Sequence, residues 1–260
     1  MAKTDMRLPS SQTLLNDVLI AFALLTRLPV PHANFDDGTR PAAQAAWAYP
    51  IVGLGVGIIA ALVGWLALSL ALSPQITALL VLATLTFCTG AMHEDGLADC
   101  ADGFWGGHTP ERRLEIMKDS QIGAYGTIAL IVTFALRWSA LASLITAGSL
   151  FAPLLAAAVI SRSAMAYVMD ILPNARISGL SHMTGRPGKP ATRITPAFAV
   201  IASIVTFGWS GLFLALIAIA IVIAISRLAK HKIGGQTGDV LGATQNLTET
   251  ALLVVMTTLV

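Results

Sequence analysis

Residues 46–72 read AWAYPIVGLGVGIIAALVGWLALSLAL, an apolar run without a charged side chain. A helix needs about 20 mainly apolar residues to cross a bilayer, because each residue advances only about 1.5 Å. Lipid offers no hydrogen bonds to the backbone, so a helix is the structure expected for such a run. The stretch Ala46–Leu72 therefore predicts a membrane-spanning helix.

The composition of the whole chain agrees with this expectation. Of its 260 residues, 55% are hydrophobic and only 12% are charged, and the mean hydropathy is +0.75. A soluble domain carries about 25% charged residues. The formal net charge of +2 and the lack of a basic stripe interleaved with aromatics argue against a nucleic-acid partner. Cys88 and Cys100 form no CxxC pair, so neither a disulfide framework nor a zinc site is indicated.

Similar apolar stretches recur along the chain, which predicts an all-α, polytopic helical bundle forming one membrane-embedded domain over residues 1–260. One of them, Pro196–Ser226, is too long for a single helix and breaks naturally at Gly208–Gly211 into two spans. The total is about seven spans. Besides Ala46–Leu72 and the two halves of Pro196–Ser226, they are Gln75–Met92, Ala124–Ala147, Leu150–Leu172 and Val240–Val260.

Cations in the connecting loops predict the orientation. The turns near Ser73, Gly148 and Trp209 carry no charge, whereas the alternate loops are rich in lysine and arginine, which marks a cytoplasmic side. We therefore expect an inner-membrane protein whose active site faces the cytoplasm. The segment Thr13–Leu28 contains charged residues and follows Lys3, which favours an amphipathic or re-entrant helix, although a true span stays open.

The densest chemistry lies in residues 92–103, MHEDGLADCADG. Continued as a helix, this segment places Asp95, Asp99 and Asp102 at i, i+4 and i+7, on one face. Three carboxylates near lipid repel one another, and a hard divalent cation such as Mg²⁺ would compensate them. The alternative is a solvated acidic helix end that nearby cations balance.

A short helix is predicted next, because Thr109-Pro110-Glu111 is a good helix-start signal. Over Glu111–Ser120 it would place Arg112, Glu115 and Asp119 on one face. Such a mixed-charge face suits either salt bridges or a substrate that bears phosphates.

A second polar region opens the last span with residues 234–239, GGQTGD. Asp239, Asn246 and Glu249 share one helical stripe, and Glu249 lies deep in the predicted span. Acidic groups at such depth usually face the bundle interior and serve a function. Two interpretations stay open for Glu249: an internal ion pair, for example with Arg162, or a catalytic role. The loop Pro173–Pro196 is polar and cationic, and we assign it no catalytic residue.

Several short motifs, in this order along the chain, resemble the cobalamin synthase family of adenosylcobinamide-GDP ribazoletransferases. Glu94, Gln121 and Tyr125 depart from the pattern, at positions where an apolar residue, a cation and a histidine are expected. The motifs are LTRLPVP (25–31), YPIVG (49–53), DGLAD (95–99) with DG (102–103), RLEIMKDS (113–120), ISR (160–162) and GGQTGDVLGA (234–243).

The resemblance implies a Mg²⁺-dependent reaction in which a ribose hydroxyl of α-ribazole, or of its 5′-phosphate, attacks adenosylcobinamide-GDP and releases GMP. The implied partners are these substrates and the lipid bilayer, and contacts with a second copy or with other late cobalamin-pathway enzymes stay open. The candidate site residues are Asp95, Asp99 and Asp102 for the metal, Asp239, Asp119, Lys118 and Arg162 for catalysis, and Arg113, Glu249 and Asn246 for substrate binding.

Two other classes of protein deserve comparison. A CDP-alcohol phosphotransferase is also a helical membrane enzyme with an aspartate-rich metal motif, but its motif places arginine where this chain has Asp99. A transporter would use buried Asp239, Glu249 and Arg162 to carry ions, and it predicts inverted repeats, which the sequence does not show.

Overall fold

The computed structural model of the chain describes residues 10–31, 41–177 and 183–260. Within these ranges the regular elements are helical, apart from a single parallel β-bridge between Asn174 and Gln236. The helices are α1 (Ser11–Leu25), α2 (Tyr49–Ser69), α3 (Pro74–Thr89), α4 (Met92–Gly106), α5 (Pro110–Ile116), α6 (Ala124–Thr146), α7 (Phe151–Ile171), α8 (Lys189–Phe207), α9 (Leu212–Ile233) and α10 (Gly238–Met256), with 3₁₀ turns at Ala42–Ala48 and Gly208–Gly211.

Local sequence sets several helix ends. The hydroxyl of Thr109 accepts the backbone N–H of Arg112 and begins α5, as its sequence predicts. The hydroxyl of Thr237 does the same for the N–H of Val240 at the start of α10. The predicted helix Glu111–Ser120 ends earlier, at Ile116.

The all-α membrane fold is confirmed, but the count of seven spans is not. By length and composition, four helical stretches of the described residues suffice to cross a membrane, or five if α3 and α4 together form a broken span. The predicted spans Ala124–Ala147 and Leu150–Leu172 agree with α6 and α7 to within one residue at each end. The four stretches are Ala42–Ser69, Ala124–Thr146, Phe151–Ile171 and Arg193–Ile233.

Two breaks in the helices bear on the comparison between the predicted spans and the observed ones. The predicted span Gln75–Met92 is wrong at its far end, because α3 stops at Thr89 and α4 leaves at an angle of 86°. Gly90 and Ala91, both with φ near +60°, make this bend. The apolar stretch Arg193–Ile233 breaks at Gly208–Gly211 as predicted, and there the chain folds back so closely that a Cβ on Gly211 would collide with the carbonyl oxygen of Ser203.

The last helix, α10, is the centre of the bundle rather than an apolar span. It begins at Gly238 and ends at Met256, and it contacts α4, α6, α7 and α9. Its residues from Val240 to Asn246 are all buried, polar ones included. Polar side chains on a central helix lower its hydropathy, which is why α10 is not among the four apolar stretches.

The N-terminal helix α1 has 15 residues, fewer than the roughly 17 needed for a span. Lys3, on which its predicted orientation partly depended, lies outside the described residues. Residues 178–182 of the loop Pro173–Pro196 also lie outside them.

Candidate active site

Helices α4 and α10 cross closely because each has a glycine at the contact. A Cβ atom added to Gly96 of α4 would lie 2.7 Å from the carbonyl oxygen of Asp239. One added to Gly242 of α10 would lie 3.1 Å from the carbonyl oxygen of Met92. Small residues allow such close backbone approach between membrane helices. The crossing therefore brings Asp239 onto the part of α4 that carries the acidic motif.

Three carboxylates surround this crossing, outside the four apolar stretches. Asp95 is exposed, whereas Asp99 and Asp239 are partly buried. Burial and the negative charges of Asp239 and Asp95 raise the pKa of Asp99 to about 7. Burial also raises the pKa of Asp239. Both shifts arise because carboxylates that are partly removed from water resist ionisation, most of all beside other anions.

Arg176, just after α7, faces these carboxylates. Its Nη1 lies 3.3 Å from Oδ2 of Asp239, and its Nη2 donates a hydrogen bond to the carbonyl oxygen of Leu114 at 3.1 Å. Its charge opposes the rise in the pKa of both Asp99 and Asp239. The sequence predicts no catalytic residue in the loop Pro173–Pro196, so the place of Arg176 in the site is a finding of the structure.

A short bridge holds Arg176 in position. The N–H of Gln236 donates to the carbonyl oxygen of Pro173, and the N–H of Ala175 donates to the carbonyl oxygen of Gln236, both at 2.8 Å. A side chain at Gly235 would collide with the backbone of Pro173. The glycine-rich segment 234–238 therefore packs against residues 173–175, and this contact places Arg176 beside Asp239.

Asp102, the third predicted metal ligand, has a different neighbourhood. Its two oxygens accept backbone N–H groups at the start of α6, from Gly123 at 2.7 Å and Gly126 at 2.9 Å. A carboxylate is well suited to this place because a helix N-terminus carries unpaired donors and partial positive charge. Asp102 thereby joins α4 to α6.

The remaining carboxylates match Mg²⁺ in donor chemistry. Asp95, Asp99 and Asp239 offer only oxygen ligands, which hard divalent cations prefer, and at Asp99 the repulsion from the other two carboxylates outweighs the attraction of Arg176. Across the described ranges, no three Asp, Glu, His or Cys side chains converge closely enough to hold a metal ion as they are now oriented. Binding a cation would therefore require these side chains to turn toward one point.

A separate, buried network of charged side chains lies between α4, α6, α7 and α10. Arg137 contacts both Glu94, at 3.1 Å, and Glu249, at 3.3 Å. Arg162 lies 3.8 Å from the other oxygen of Glu249, which also accepts a 2.8 Å hydrogen bond from Gln245. Two carboxylates and two guanidinium groups balance in charge, which is how charges persist in an apolar interior.

Comparison with known sequences bears on what this arrangement does. The sequence model of the family described as cobalamin-5-phosphate synthase matches residues 17–257. The chain belongs to the cobalamin-5-phosphate synthase family. The resemblance inferred from the short motifs is thereby confirmed.

Individual relatives are similar over almost their entire length. A protein of Bradyrhizobium diazoefficiens is 43% identical over 260 residues, covering 95% of this chain and 96% of its own. Proteins of a Sinorhizobium species and of Sinorhizobium medicae are 42% and 41% identical, each covering 92% of this chain and 94% of its own. All three are named adenosylcobinamide-GDP ribazoletransferase. No solved structure matches the chain.

Several of the predicted site residues lie away from the carboxylates of the α4–α10 crossing. Arg162, Glu249 and Asn246 belong to the buried network, where the amide of Asn246 donates to Glu94 at 3.4 Å. The internal Arg162–Glu249 pairing weighed in the sequence analysis is therefore present. Arg137 is the partner that sequence reasoning missed, and its position within an apolar span was the signal that could have found it.

The residues predicted from the RLEIMKDS motif lie on and after α5. Arg113 donates hydrogen bonds to the carbonyl oxygens of Gly107 and Lys232, both at 2.9 Å, and so ties α5 to the end of α9. Lys118 and Asp119 are exposed beyond the end of the helix. The structure thus gives Arg113 a bracing contact and leaves Lys118 and Asp119 at the surface.

Proposed function

We propose that this chain is an adenosylcobinamide-GDP ribazoletransferase, which completes the nucleotide loop of cobalamin. In the proposed reaction a ribose hydroxyl of α-ribazole, or of its 5′-phosphate, forms a bond to the phosphorus that carries the cobinamide. The bond from that phosphorus to the GMP oxygen breaks, GMP leaves, and the hydroxyl proton passes to a base. The observation that carries the proposal is the family match over residues 17–257.

The acidic crossing supports this type of chemistry. Displacement at a diphosphate depends on charge neutralisation and positioning more than on covalent help from the protein. We assign Asp95, Asp99 and Asp239 to hold Mg²⁺, which when bound would neutralise charge on the diphosphate. Asp102 was predicted as a ligand too, but its contacts with Gly123 and Gly126 favour a bracing role.

Asp239 and Arg176 also have roles of their own in the proposal. One oxygen of Asp239 is assigned to the metal, and the other is the candidate proton acceptor for the ribose hydroxyl. Arg176 is the candidate phosphate contact, because its planar guanidinium suits bidentate binding of phosphate oxygens. In the structure described here it is paired with Asp239 at 3.3 Å, so substrate binding would draw it from a carboxylate to a phosphate.

The other predicted site residues are assigned by position. Lys118 and Asp119 are exposed just after the end of α5, and we propose that they contact the large substrate from outside. Arg162, Glu249 and Asn246 hold the orientation of α10 and α4 through the buried network rather than touching substrate. Arg113 supports α5 through its two backbone contacts.

We further propose that the protein lies in the cytoplasmic (inner) membrane with this site facing the cytoplasm. Contacts between cationic segments support the orientation. Arg113 of α5 reaches the backbone of Lys232, and Arg176 reaches the backbone of Leu114, so three cation-bearing loops meet at one end of the bundle. Clustered lysine and arginine mark the cytoplasmic side.

The test is turnover of the purified protein in lipid with adenosylcobinamide-GDP and α-ribazole, with and without Mg²⁺. Magnesium-dependent release of GMP together with a cobalamin product, abolished in folded Asp99→Asn and retained in Arg112→Gln, would support the proposal. Arg112 is a suitable control because the scheme gives it no role, and removing its exposed pair with Glu115 should cost little stability. Absence of product from folded wild type with both forms of ribazole, and turnover of a CDP-alcohol instead, would overturn it.

A further inference from the structure

A large cavity separates α8 and α9 from α7, away from the acidic crossing. Its volume is about 590 Å³, within the range of about 300–1,000 Å³ typical of small-ligand sites. Ile160 and Ala164 of α7, Ala199 of α8, and Ala215 and Val222 of α9 contribute to its apolar wall. The chain turns back at Gly208–Gly211, and residues of both α8 and α9 line the cavity opposite α7.

The cavity opens toward lipid. Tyr167, Val200, Ile219 and Ile223 line it and are each more than a third exposed, and all lie on stretches apolar enough to span a membrane. Protein interiors are close-packed, and an empty apolar space of this size is unfavourable. An apolar chain supplied by the surrounding bilayer is therefore the natural occupant.

One end of the cavity is polar. Ser226 and Arg227, at the last turns of α9, both line it. The hydroxyl of Ser226 is buried and has no hydrogen-bond partner among the described residues, and the side chain of Arg227 is exposed. A buried donor without a partner is costly, so a rotation of Ser226 that presents its hydroxyl to a ligand group in the cavity would be favourable. Arg227 adds the positive charge that an anion requires.

We propose that this cavity binds one anionic phospholipid. An acyl chain lies between α7, α8 and α9, and the headgroup phosphate accepts hydrogen bonds from the hydroxyl of Ser226 and the guanidinium of Arg227. The bound lipid fills the cavity, and it ties the cationic end of α9 to the membrane surface. The site is separate from the proposed transfer reaction and does not depend on it.

Matched variants test the apolar half of the site. Ala215→Phe places a large ring in the cavity, whereas Ala220→Phe adds the same ring to an exposed position of α9 that does not line it. The protein would be purified in mild detergent, exchanged into phosphatidylcholine nanodiscs with added phosphatidylglycerol, released, and examined by native mass spectrometry. About one retained phosphatidylglycerol per chain is expected for wild type and Ala220→Phe, and none for folded Ala215→Phe.

A second pair tests the headgroup. Arg227→Gln should lower the preference for phosphatidylglycerol over phosphatidylcholine about fivefold, as expected for one cation at an anionic surface. Lys230→Gln, at an exposed cation one turn further on that does not line the cavity, should leave the preference unchanged. Equal retention by Ala215→Phe and Ala220→Phe, an unchanged preference in Arg227→Gln, or occupation by a second copy of the chain as a stable dimer would overturn the proposal.

Discussion

Glu94 of α4 and Arg137 of α6 form a buried ion pair, with 3.1 Å between Oε1 and Nη2. Glu94 immediately precedes Asp95 in the helix, so turning Glu94 into the bundle turns Asp95 outward. The exposures agree, since the side chain of Glu94 is 9% exposed and Asp95 is an exposed residue. A position that departs from the family pattern thus serves to orient the acidic helix.

This pair should be strongly coupled in stability. Glu94→Leu leaves Arg137 and Arg162 to share Glu249, so each single variant, Glu94→Leu or Arg137→Leu, should lower the free energy of unfolding by about 3–5 kcal/mol. The double variant restores charge balance between Arg162 and Glu249. Its loss of unfolding free energy should therefore be about 1–3 kcal/mol smaller than the sum of the losses of the two single variants. Detergent-denaturant titration in mixed micelles would measure this, and strictly additive losses would show that the pair is not coupled.

The α4–α10 contact should tolerate no side chain at Gly96. Gly96→Ala puts a Cβ 2.7 Å from the backbone of Asp239, which forces the helices apart and displaces the carboxylates. We expect the rate of GMP release to fall about 100-fold, because a displacement of about 1 Å in an active site can lower a rate by that factor. Gly106→Ala is the control, because its Cβ meets only the Ile116 side chain at 3.5 Å. Equal activity of the two variants would contradict the close crossing.

Metal affinity should depend on pH through Asp99. Its ordinary pKa of 3.8 rises to about 7 in the folded protein, so below pH 7 a bound proton competes with Mg²⁺. The apparent dissociation constant of Mg²⁺ should rise as pH falls from about 8 to about 6, approaching tenfold per unit, and should be nearly flat in Asp99→Asn. Calorimetric titration would measure this.

The same shift predicts how stability without metal varies with pH. Between the ordinary pKa of Asp99 and about 7, the folded state holds a proton that the unfolded state has released. The contribution of Asp99 to the free energy of unfolding should therefore decrease as pH rises through this window. A pH dependence equal in wild type and Asp99→Asn would assign it to other groups.

Asp102 should contribute more to the stability of the fold than to the binding of Mg²⁺. Asp102→Ala removes acceptors from the N–H groups of Gly123 and Gly126, and it should cost about 1.5–3 kcal/mol because hydrogen bonds to charged groups are strong. Asp102→Asn keeps one acceptor and should cost less. If either folded variant weakened Mg²⁺ binding as strongly as Asp99→Asn does, Asp102 would be a ligand after all.

Arg176→Gln should change metal and substrate affinity in opposite directions. Without the Arg176 cation, Asp239 is no longer paired, so Mg²⁺ should bind more tightly. The KM for the diphosphate substrate should rise about 10–100-fold, because a charged phosphate contact is lost. Arg112→Gln should change neither. A variant that weakened both affinities equally would indicate that Arg176 only supports the fold. Mn²⁺ titration by electron paramagnetic resonance and steady-state kinetics would provide the two measurements.

Some of the structure follows from local sequence. α6 and α7 end within a residue of their predicted bounds. An apolar run long enough to cross the bilayer must satisfy its own backbone hydrogen bonds, so it forms a helix whatever helices pack beside it. Thr109 and Thr237 begin helices because a hydroxyl beside unpaired N–H groups is a local interaction. The i, i+4 spacing of Asp95 and Asp99 likewise places them near each other once α4 is a helix.

The sequence by itself therefore determined the membrane class, most helix positions and the family. Only the tertiary structure decided the 86° bend after α3, the pairing of Glu94 with Arg137, and the contact of Asp102 with the start of α6. The physical reason is that hydropathy and helical periodicity depend on neighbours a few residues apart. The partner of a charge instead depends on which helices pack together, and Glu94 and Arg137 are 43 residues apart in the chain.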